Sequence, residues 1–300
     1  MRCWSPGWLI SRRISNNHVY RLARDLTVSL IQAPTHWHDP QANMAMFAQR
    51  IDAVTRGAAE RRHPSPDLIV LPETLLSGFT RDAGAQAETM EGSGVAWMRE
   101  MAQRADAAVT GSLIIAEQGA IYNRLIWATP DGGLQWYDKR HLFRMAGEHK
   151  RYAAGQPRLL VEWREWRICP LVCYDLRFPV WCRNRWDRDA ERGTEPAADY
   201  DLLLFVANWP SARRHAWRSL LVARAIENLS WVVGVNRIGR DGNDVPYAGD
   251  SLVVDPLGET VADLEDRDQS VTITLSAARL LEHRERFPAY LDADRFEIDP

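Results

Sequence analysis

A cysteine at the end of an apolar run is the first feature of this chain that could do chemistry. Residues 168–172 form a β-favouring apolar run that stops at Cys173, and Asp175 and Pro179 then offer a helix cap and an early helical proline. This pattern places Cys173 on a strand-to-helix elbow, where a helix N-terminus and outward N–H groups lower the pKa of a thiol and donate to an oxyanion. The sequence therefore predicts a nucleophilic cysteine. The alternative interpretation is a small buried side chain that ends a strand.

Two charged residues also follow apolar strands elsewhere in the chain. Glu73 follows the segment Val-Leu-Pro at 70–72, and Lys139 follows the segment Trp-Tyr-Asp at 136–138. Because ligands of open α/β sheets bind beyond the carboxyl ends of the strands, we expect Glu73, Lys139 and Cys173 to converge at one edge. Taken singly, Glu73 is also typical of an acid at a helix N-terminus, and Lys139 is typical of a surface charge.

The cysteines and histidines do not form a metal-binding pattern. The four cysteines are Cys3, Cys169, Cys173 and Cys182. Positions 169 and 173 do not have C-x-x-C spacing, and along a strand they lie about 13 Å apart. The histidines near the predicted site have no paired ligand spacing and are interpreted as structural polar residues: His141, His149 and His215. We therefore expect no metal, and so few cysteines predict a reducing compartment, by default the cytoplasm.

Length and composition favour one large domain with a small-molecule partner. The chain has 300 residues, 46% of them hydrophobic, and no internal repeat divides it. Its formal net charge of −3 does not show the excess of positive charge that is typical of proteins that bind nucleic acid. No apolar run approaches the roughly 18 residues needed to span a bilayer. The sequence therefore predicts neither a nucleic-acid partner nor a membrane partner.

Apolar periodicity predicts strands and helices along most of the chain. Strands are predicted near residues 27–32, 67–71, 107–116, 122–128, 134–137, 159–163, 167–172, 202–206, 231–236, 251–254, 260–264 and 270–275. Helices are predicted near residues 40–62, 95–104, 212–228 and 276–286, with a further helix that begins near Phe178. Hairpins mixed with helical crossovers predict an α/β protein built as a four-layer α-β-β-α sandwich.

Two charged segments are interpreted as lying outside the packed core. Residues 1–24 contain five arginines and no acid, with an apolar patch too short for a signal peptide. We interpret them as a poorly ordered N-terminal extension and expect the domain to cover residues 25–300. Residues 183–199 alternate in charge with little apolar content, which is typical of a solvated loop.

Several segments in chain order resemble the motifs of one enzyme family. They are Leu-Pro-Glu at 71–73 with Ser-Gly-Phe at 77–79, Tyr-Asp-Lys-Arg-His-Leu-Phe at 137–143, Gly-Glu at 147–148, and Cys-Tyr-Asp-Leu-Arg-Phe-Pro at 173–179. The set resembles the carbon-nitrogen hydrolase family, or nitrilase superfamily, whose members use a Glu, Lys, Cys triad in that order. Val-Ala-Asn-Trp-Pro at 206–210 and Ala-Arg-Ala-Ile-Glu-Asn at 223–228 look like its omega-amidase branch. The resemblance extends from about residue 27 to residue 296.

The resemblance implies a nitrilase-type sandwich and amide hydrolysis through a thioester intermediate. Cys173 is implied to be the nucleophile, and Glu73 is implied to exchange protons with the thiol, the departing ammonia and water. Lys139 and the N–H of Tyr174 are implied to stabilise the oxyanion, and Glu148 is implied to orient Lys139, substrate or water. The resemblance implies no metal and no cofactor.

The omega-amidase likeness also implies a substrate class, a short dicarboxylate monoamide such as 2-oxoglutaramate or 2-oxosuccinamate. We expect Phe79, Asn208 and Trp209 to line the pocket, and Arg144, in preference to Arg177, to bind the distal carboxylate. The alternatives are a nitrilase, an N-carbamoyl amino acid hydrolase, and a non-catalytic module for oligomerisation or binding. The resemblance further implies a homodimer or a higher homo-oligomer.

Overall fold

Two six-stranded β-sheets pack face to face in the computed structural model, which describes residues 22, 24–61, 64–187 and 197–298. The strands are β1 (Leu26–Gln32), β2 (Leu68–Val70), β3 (Ala108–Glu117), β4 (Ala120–Ala128), β5 (Leu134–Asp138), β6 (Val161–Trp163), β7 (Trp166–Val172), β8 (Trp186–Asp187), β9 (Ala197–Ala198), β10 (Leu202–Ala207), β11 (Trp231–Asn236), β12 (Ile238–Arg240), β13 (Pro246–Ala248), β14 (Leu252–Val254), β15 (Thr260–Asp263) and β16 (Gln269–Leu275). The helices are α1 (Pro40–Arg61), α2 (Ala83–Gln86), α3 (Ser93–Ala105), α4 (Pro179–Cys182), α5 (Arg214–Asn228) and α6 (Ala277–Arg286). All the predicted strands are present, with ends within two residues of the prediction.

The first sheet has the strand order β16-β1-β2-β3-β4-β5 and carries helices on one face. Strands β1, β2 and β3 are parallel, whereas β16, β4 and β5 join by antiparallel pairing. Because side chains alternate along a strand, Leu68 and Val70 face the second sheet while Ile69 faces the helices. There Ile69 joins Phe47 of α1 and Met98 of α3 in a separate apolar core.

The second sheet has the strand order β15-β14-β11-β10-β7-β6, with β7, β10 and β11 parallel at its centre. These central strands are apolar along almost their whole length because both of their faces are covered. Their core includes residues of the first sheet together with Trp217 and Leu221 of α5 and Leu280 of α6. The layers are therefore helices, first sheet, second sheet and helices, which confirms the predicted α-β-β-α sandwich.

Strand direction brings the ends of several strands to the same edge. Strand β5 runs in the same direction as β2, because β5 and the parallel pair β2–β3 are separated by two antiparallel steps. Glu73 follows β2 and Lys139 follows β5, whereas Cys173 and Asn208 follow β7 and β10 of the second sheet. The predicted site residues therefore lie beyond the carboxyl ends of strands from both sheets.

The helix predicted after the cysteine is far shorter than expected. Residues 173–177 form a 3₁₀ turn, and α4 behind it contains four residues. Asp175 does not cap a following helix, because from the third position of the turn its carboxylate accepts the N–H of Val172 at 3.1 Å. A helix of this length has no substantial macrodipole, so the predicted effect of a helix N-terminus on Cys173 is absent.

Helix α2, the β8–β9 pair and the β12–β13 hairpin have no counterpart in the sequence prediction. Strands β8 and β9 lie within the segment 183–199 that we interpreted as a solvated loop. The described part of this segment also buries Asn184, whose amide donates to the carbonyls of Tyr200 and Asn228. Residues 188–196 lie outside the described residues.

Residues 1–21 and 23 of the predicted N-terminal extension also lie outside the described residues. Leu22 is buried in the core, and the guanidinium of Arg24 contacts the carboxylate of Asp67 at 2.6 Å. These two residues, which we had assigned to the extension, therefore pack against the domain. Among the described residues, no helix combines the length and the apolar composition needed to cross a bilayer.

Candidate active site

Asp175 joins the segment that carries Cys173 to the segment that carries Lys139. Its buried carboxylate accepts hydrogen bonds from the hydroxyl of Tyr137 at 2.8 Å and from the backbone N–H of His141 at 3.0 Å. The imidazole Nδ1 of His141 lies 2.8 Å from the same carboxylate. Because Tyr137 and His141 flank Lys139 in sequence, these contacts fix the position of Lys139 relative to the cysteine.

Cys173 lies at the end of β7 with its backbone in the left-handed region, at a φ of 46°. Residues other than glycine are strained in this region, so the surrounding contacts must hold the conformation. The 3₁₀ turn begins at Cys173, and the first N–H groups of such a turn have no partner within it. The N–H of Tyr174 is therefore available beside the thiol as a donor to an oxyanion.

Glu73, Lys139 and Glu148 form a buried charge cluster next to Cys173. The Nζ of Lys139 donates to Oε1 of Glu73 at 2.9 Å and to the two carboxylate oxygens of Glu148 at 3.0 and 3.1 Å. All three side chains are at most 2% exposed. Cys173 lies close enough to this cluster for the charges of Glu73 and Lys139 to act on the pKa of its thiol. The structure thus brings together the four residues for which the resemblance implies catalytic roles.

Groups from both sheets hold the carboxylate of Glu73. Its Oε2 accepts the backbone N–H of Asn208 at 2.6 Å, and its Oε1 accepts a hydrogen bond from Nδ2 of Asn123 at 2.8 Å. Thr74 has a φ of 40°, so the chain turns sharply after Glu73, and the N–H of Thr74 donates to Oγ of Ser112 at 2.7 Å. These contacts fix the direction of the Glu73 side chain.

Glu148 reaches the cluster through a tight turn. Gly147 has a φ of 72° and joins two 3₁₀ turns, residues 144–146 and 148–150, in a conformation that glycine adopts without strain. The Oε2 of Glu148 also accepts the N–H of Phe143 at 2.5 Å. With both oxygens on Lys139 and one on the backbone, Glu148 serves to hold Lys139 in place.

Burial and neighbouring charges set the protonation states of the cluster. Burial, followed by the negative charge of Glu73, raises the pKa of the Cys173 thiol well above its ordinary value. This corrects the prediction of a lowered thiol pKa, which depended on a longer helix. Burial alone lowers the pKa of Lys139, but the charges of Glu148 and Glu73 outweigh it and hold that pKa above its ordinary value. Burial raises the pKa of Glu148, against the opposing effect of Lys139.

The cluster therefore favours a neutral thiol beside a charged lysine. A protonated thiol beside a carboxylate loses its proton as its sulfur attacks a carbonyl carbon, so a free thiolate does not form first. Glu73 is positioned to accept this proton, and once protonated it is an acid that can return the proton to a leaving group. Lys139 remains a cation next to the point where negative charge develops. The arrangement suits acyl transfer to a cysteine.

A narrow cavity opens onto this cluster. Its wall is formed by Phe79, Lys139, Phe143, Cys173, Tyr174, Arg177, Asn208, Trp209, Pro210, Arg213 and Tyr247. The structure thus brings Phe79, Asn208 and Trp209 to the pocket, as the sequence predicts. Arg144 is exposed on the turn before Gly147 and is not part of the wall, so the structure does not bring it to the site. The turn at Gly147 directs the carboxylate of Glu148 into the site and leaves the side chain of Arg144 on the surface.

Two guanidinium groups in the wall pack against aromatic rings. Arg177 lies over the ring of Trp209, and Arg213 lies over the ring of Phe143, each with its guanidinium carbon 5.0 Å from the ring centre. Neither arginine forms an ion pair with an Asp or Glu of the described ranges, 22, 24–61, 64–187 and 197–298. The cavity therefore carries two positive charges in addition to the charge-paired Lys139, and it favours an anionic ligand.

Three residues at the site lack the strand-end signal that identifies the triad. Asn123 interrupts the buried strand β4, and a polar residue within an apolar strand is a signal that could have found it. Arg213 lies in a 3₁₀ turn before α5, and Tyr247 lies on β13. Neither position follows a long apolar run, so periodicity could not indicate them.

Within the described ranges, no group of three or more His, Cys, Asp or Glu side chains is arranged to hold a metal ion. Cys169, Cys173 and Cys182 are unpaired and buried. Burial raises the pKa of Cys169 to about 12 and also raises the pKa of Cys182. Burial thus raises the pKa of all three thiols, and Cys173 differs from the other two because it alone of the three lines the cavity.

Comparison with known proteins agrees with this geometry. The carbon-nitrogen hydrolase family model matches residues 27–282. The chain is 45% identical over 275 residues to the omega-amidase YafV of Escherichia coli (strain K12), covering 91% of this chain and 98% of that protein. It is 29% identical over 269 residues to a 2-oxoglutaramate amidase of Bacillus subtilis (strain 168), covering 89% and 96% respectively. A crystal structure of a CN-hydrolase superfamily protein from Xanthomonas campestris, with an arsenic adduct in its active site, is 52% identical, with a TM-score of 0.86 over 92% of this chain and 100% of that one.

Proposed function

Because this chain belongs to the carbon-nitrogen hydrolase family, we propose that it hydrolyses the terminal amide of a short dicarboxylate monoamide such as 2-oxoglutaramate or 2-oxosuccinamate. The products are the dicarboxylate and ammonia. Similarity to an omega-amidase and to a 2-oxoglutaramate amidase supports this substrate class. The observation that carries the proposal is the presence of Arg177 and Arg213 in the cavity that contains the thiol of Cys173.

The two arginines supply what a substrate with a distal carboxylate needs. Lys139 is already paired with two carboxylates, so it is not available to bind a further one. Arg177 and Arg213 pack against aromatic rings, which hold the guanidinium groups without neutralising them. A guanidinium binds a carboxylate through two parallel hydrogen bonds, which fixes both the position and the orientation of the ligand. We infer that Arg177 and Arg213 bind the carboxylate end of the substrate, in place of Arg144.

In the first half-reaction Cys173 attacks the amide carbon while Glu73 accepts the thiol proton. The carbonyl oxygen becomes an oxyanion, and Lys139 and the N–H of Tyr174 stabilise it. The carbonyl then re-forms as the carbon–nitrogen bond breaks, and Glu73 returns the proton to the nitrogen. Ammonia leaves, and a thioester remains on Cys173.

In the second half-reaction water replaces ammonia beside Glu73. Glu73 takes one proton from the water as its oxygen attacks the thioester carbon, and the same donors stabilise the second oxyanion. The carbon–sulfur bond breaks, and the sulfur recovers its proton from Glu73. The dicarboxylate leaves, and the thiol and the carboxylate return to their starting states.

A side-by-side assay tests the reaction and the substrate class. We would measure kcat/KM for 2-oxoglutaramate, succinamate, butyramide, a short nitrile and an N-carbamoyl amino acid. The proposal expects the two acidic amides to be the best substrates, because the uncharged amide cannot use the guanidinium groups. A higher kcat/KM for the nitrile or the carbamoyl compound would replace the proposed reaction with one of the alternatives. Turnover of none of the five would favour the non-catalytic module.

Arginine variants test the carboxylate contact. Arg177→Met and Arg213→Met should each lower kcat/KM for 2-oxoglutaramate by about tenfold to a hundredfold, since a charge-assisted hydrogen bond contributes about 1.5–3 kcal/mol. Turnover of butyramide should not change in either variant. Arg144→Met is the matched control, because it removes the same charge from an exposed position outside the cavity wall. If Arg144→Met alone impairs 2-oxoglutaramate turnover, the assignment of Arg177 and Arg213 is wrong.

We also propose that the protein is a homo-oligomer, most simply a twofold dimer, and that it acts in the cytoplasm. The apolar side chains of Val180 on α4 and Ile226 on α5 are 54% and 51% exposed, and burial against a second copy would remove them from water. The three unpaired cysteines among the described residues fit a reducing compartment.

A further inference from the structure

Asn208 has one side-chain atom that finds no hydrogen-bond partner in the part of the chain that the structure describes. It follows β10, is 4% exposed and contributes to the cavity wall. Its Nδ2 donates to the backbone carbonyl of Glu73 and to Oγ1 of Thr74, both at 2.8 Å. Its Oδ1 is buried and accepts no hydrogen bond from the described residues.

The contact with the Glu73 carbonyl fixes which atom of the Asn208 amide remains free. A backbone carbonyl can only accept, so the atom that faces it must be the nitrogen, and the amide cannot be turned around without losing this bond. Asn208 belongs to the cavity wall, and its Nδ2 is held by Glu73 and Thr74, which are not wall residues, so Oδ1 is the side-chain atom that remains for a ligand in the cavity. A buried acceptor without a donor is destabilising, and a ligand that brings an N–H relieves this.

We propose that Oδ1 of Asn208 accepts an N–H of the scissile carboxamide and keeps this contact as the nitrogen leaves. The inference rests on the proposed amide hydrolysis, and it assigns to Asn208 the discrimination between an amide and an ester. An amide presents two N–H donors at this point, whereas an ester of the same acid presents none. A site whose polar group is left unpaired by the wrong substrate rejects that substrate.

The same residue also holds the acid that the leaving nitrogen needs. The backbone N–H of Asn208 donates to Oε2 of Glu73 at 2.6 Å. Asn208 therefore supplies the Oδ1 acceptor and also fixes the position of the Glu73 carboxyl group. When one N–H of the tetrahedral adduct points to Oδ1, the nitrogen lone pair is free to turn toward Glu73. The carbon–nitrogen bond then breaks with its electron pair on nitrogen, the proton moves from Glu73 to that nitrogen, and ammonia and the thioester result.

Binding to an inactivated protein tests this contact separately from the chemistry. In a Cys173→Ala background we would titrate 2-oxoglutaramate and the 5-methyl ester of 2-oxoglutarate by calorimetry, with and without Asn208→Ala. Loss of the Oδ1 contact should raise the Kd of the amide by about tenfold and leave the Kd of the ester within about twofold. Asn208→Ser should give the same selective loss, and its hydroxyl can still donate toward the Glu73 carbonyl if the alanine variant does not fold.

Thr74→Val is the matched control for disturbance of the Glu73 turn. It removes one partner of Nδ2 but leaves Oδ1 of Asn208 unchanged, so the ratio of the Kd of the amide to the Kd of the ester should equal the ratio measured for the Cys173→Ala parent. The inference is overturned if Asn208→Ala weakens amide and ester equally, if it weakens neither, or if Thr74→Val reproduces the selective loss. If the Cys173→Ala parent binds neither compound, the proposed function itself fails, and this inference fails with it.

Discussion

Glu148→Gln should lower kcat by about a hundredfold while leaving a folded protein, because both carboxylate oxygens of Glu148 are needed as acceptors. One oxygen accepts from Lys139 at 3.0 Å. The other accepts from Lys139 at 3.1 Å and from the N–H of Phe143 at 2.5 Å. A carboxamide has only one oxygen, so in either orientation its NH₂ group faces a buried donor.

The size of the effect follows from the contact that is lost. A hydrogen bond to a charged group contributes about 1.5–3 kcal/mol, and the upper part of this range applies because the site is buried. About 3 kcal/mol corresponds to about a hundredfold in rate. Glu73→Gln should lower kcat by about 10⁴-fold or more, because it removes the group that moves protons in both half-reactions. Glu148→Gln should therefore be clearly the milder of the two variants.

Ammonia release and thermal unfolding should be measured on the same preparations. Glu148→Gln should also lower the melting temperature, because Lys139 keeps only Glu73 as a charged partner. Glu91→Gln is the control, since it makes the same chemical change on an exposed side chain. A Glu148→Gln protein with the kcat of the wild type would refute the view that Glu148 holds Lys139. A variant as inactive as Glu73→Gln with an unchanged melting temperature would instead give Glu148 a direct part in proton transfer.

Two further predictions concern the thiol and the assembly. The rate of alkylation of Cys173 by iodoacetamide should keep rising between about pH 7 and 9, because the raised pKa leaves the thiol protonated throughout this range; a plateau near neutral pH would reveal a preformed thiolate. Sedimentation velocity at micromolar concentration should give a particle of at least twice the 34.3 kDa chain mass, and a particle of chain mass alone would contradict the proposed oligomer.

The triad could be predicted from the sequence because its members follow apolar runs. Strands can be recognised in this chain as runs of alternating or continuous apolar residues, and the residue that follows a strand is positioned by that strand. Glu73, Lys139 and Cys173 all have this relation to β2, β5 and β7. The same argument, together with the motif resemblance, accounts for Asn208 behind β10.

The carboxylate contact and the thiol pKa could not be predicted in this way. The choice of Arg144 used distance along the chain from Lys139, whereas the direction of that side chain is set by the turn at Gly147. Arg213 reaches the cavity from a turn that no periodic pattern marks. The thiol pKa depends on burial and on the charge of Glu73, which belongs to the opposite sheet, and no local pattern around Cys173 contains that information.

The division of the site between the two sheets has a consequence for refolding. Glu73 and Lys139 follow strands of the first sheet, whereas Cys173 and Asn208 follow strands of the second sheet. Neither sheet alone therefore carries all four of these site residues. The hydrogen bond between Asn208 and Glu73 joins residues 135 positions apart, and contacts this distant in sequence are slow to form. Turnover should therefore return later than secondary structure when the denatured chain is diluted into buffer. The delay between the recovery of the circular dichroism signal and the recovery of ammonia release therefore measures how slowly the two sheets dock.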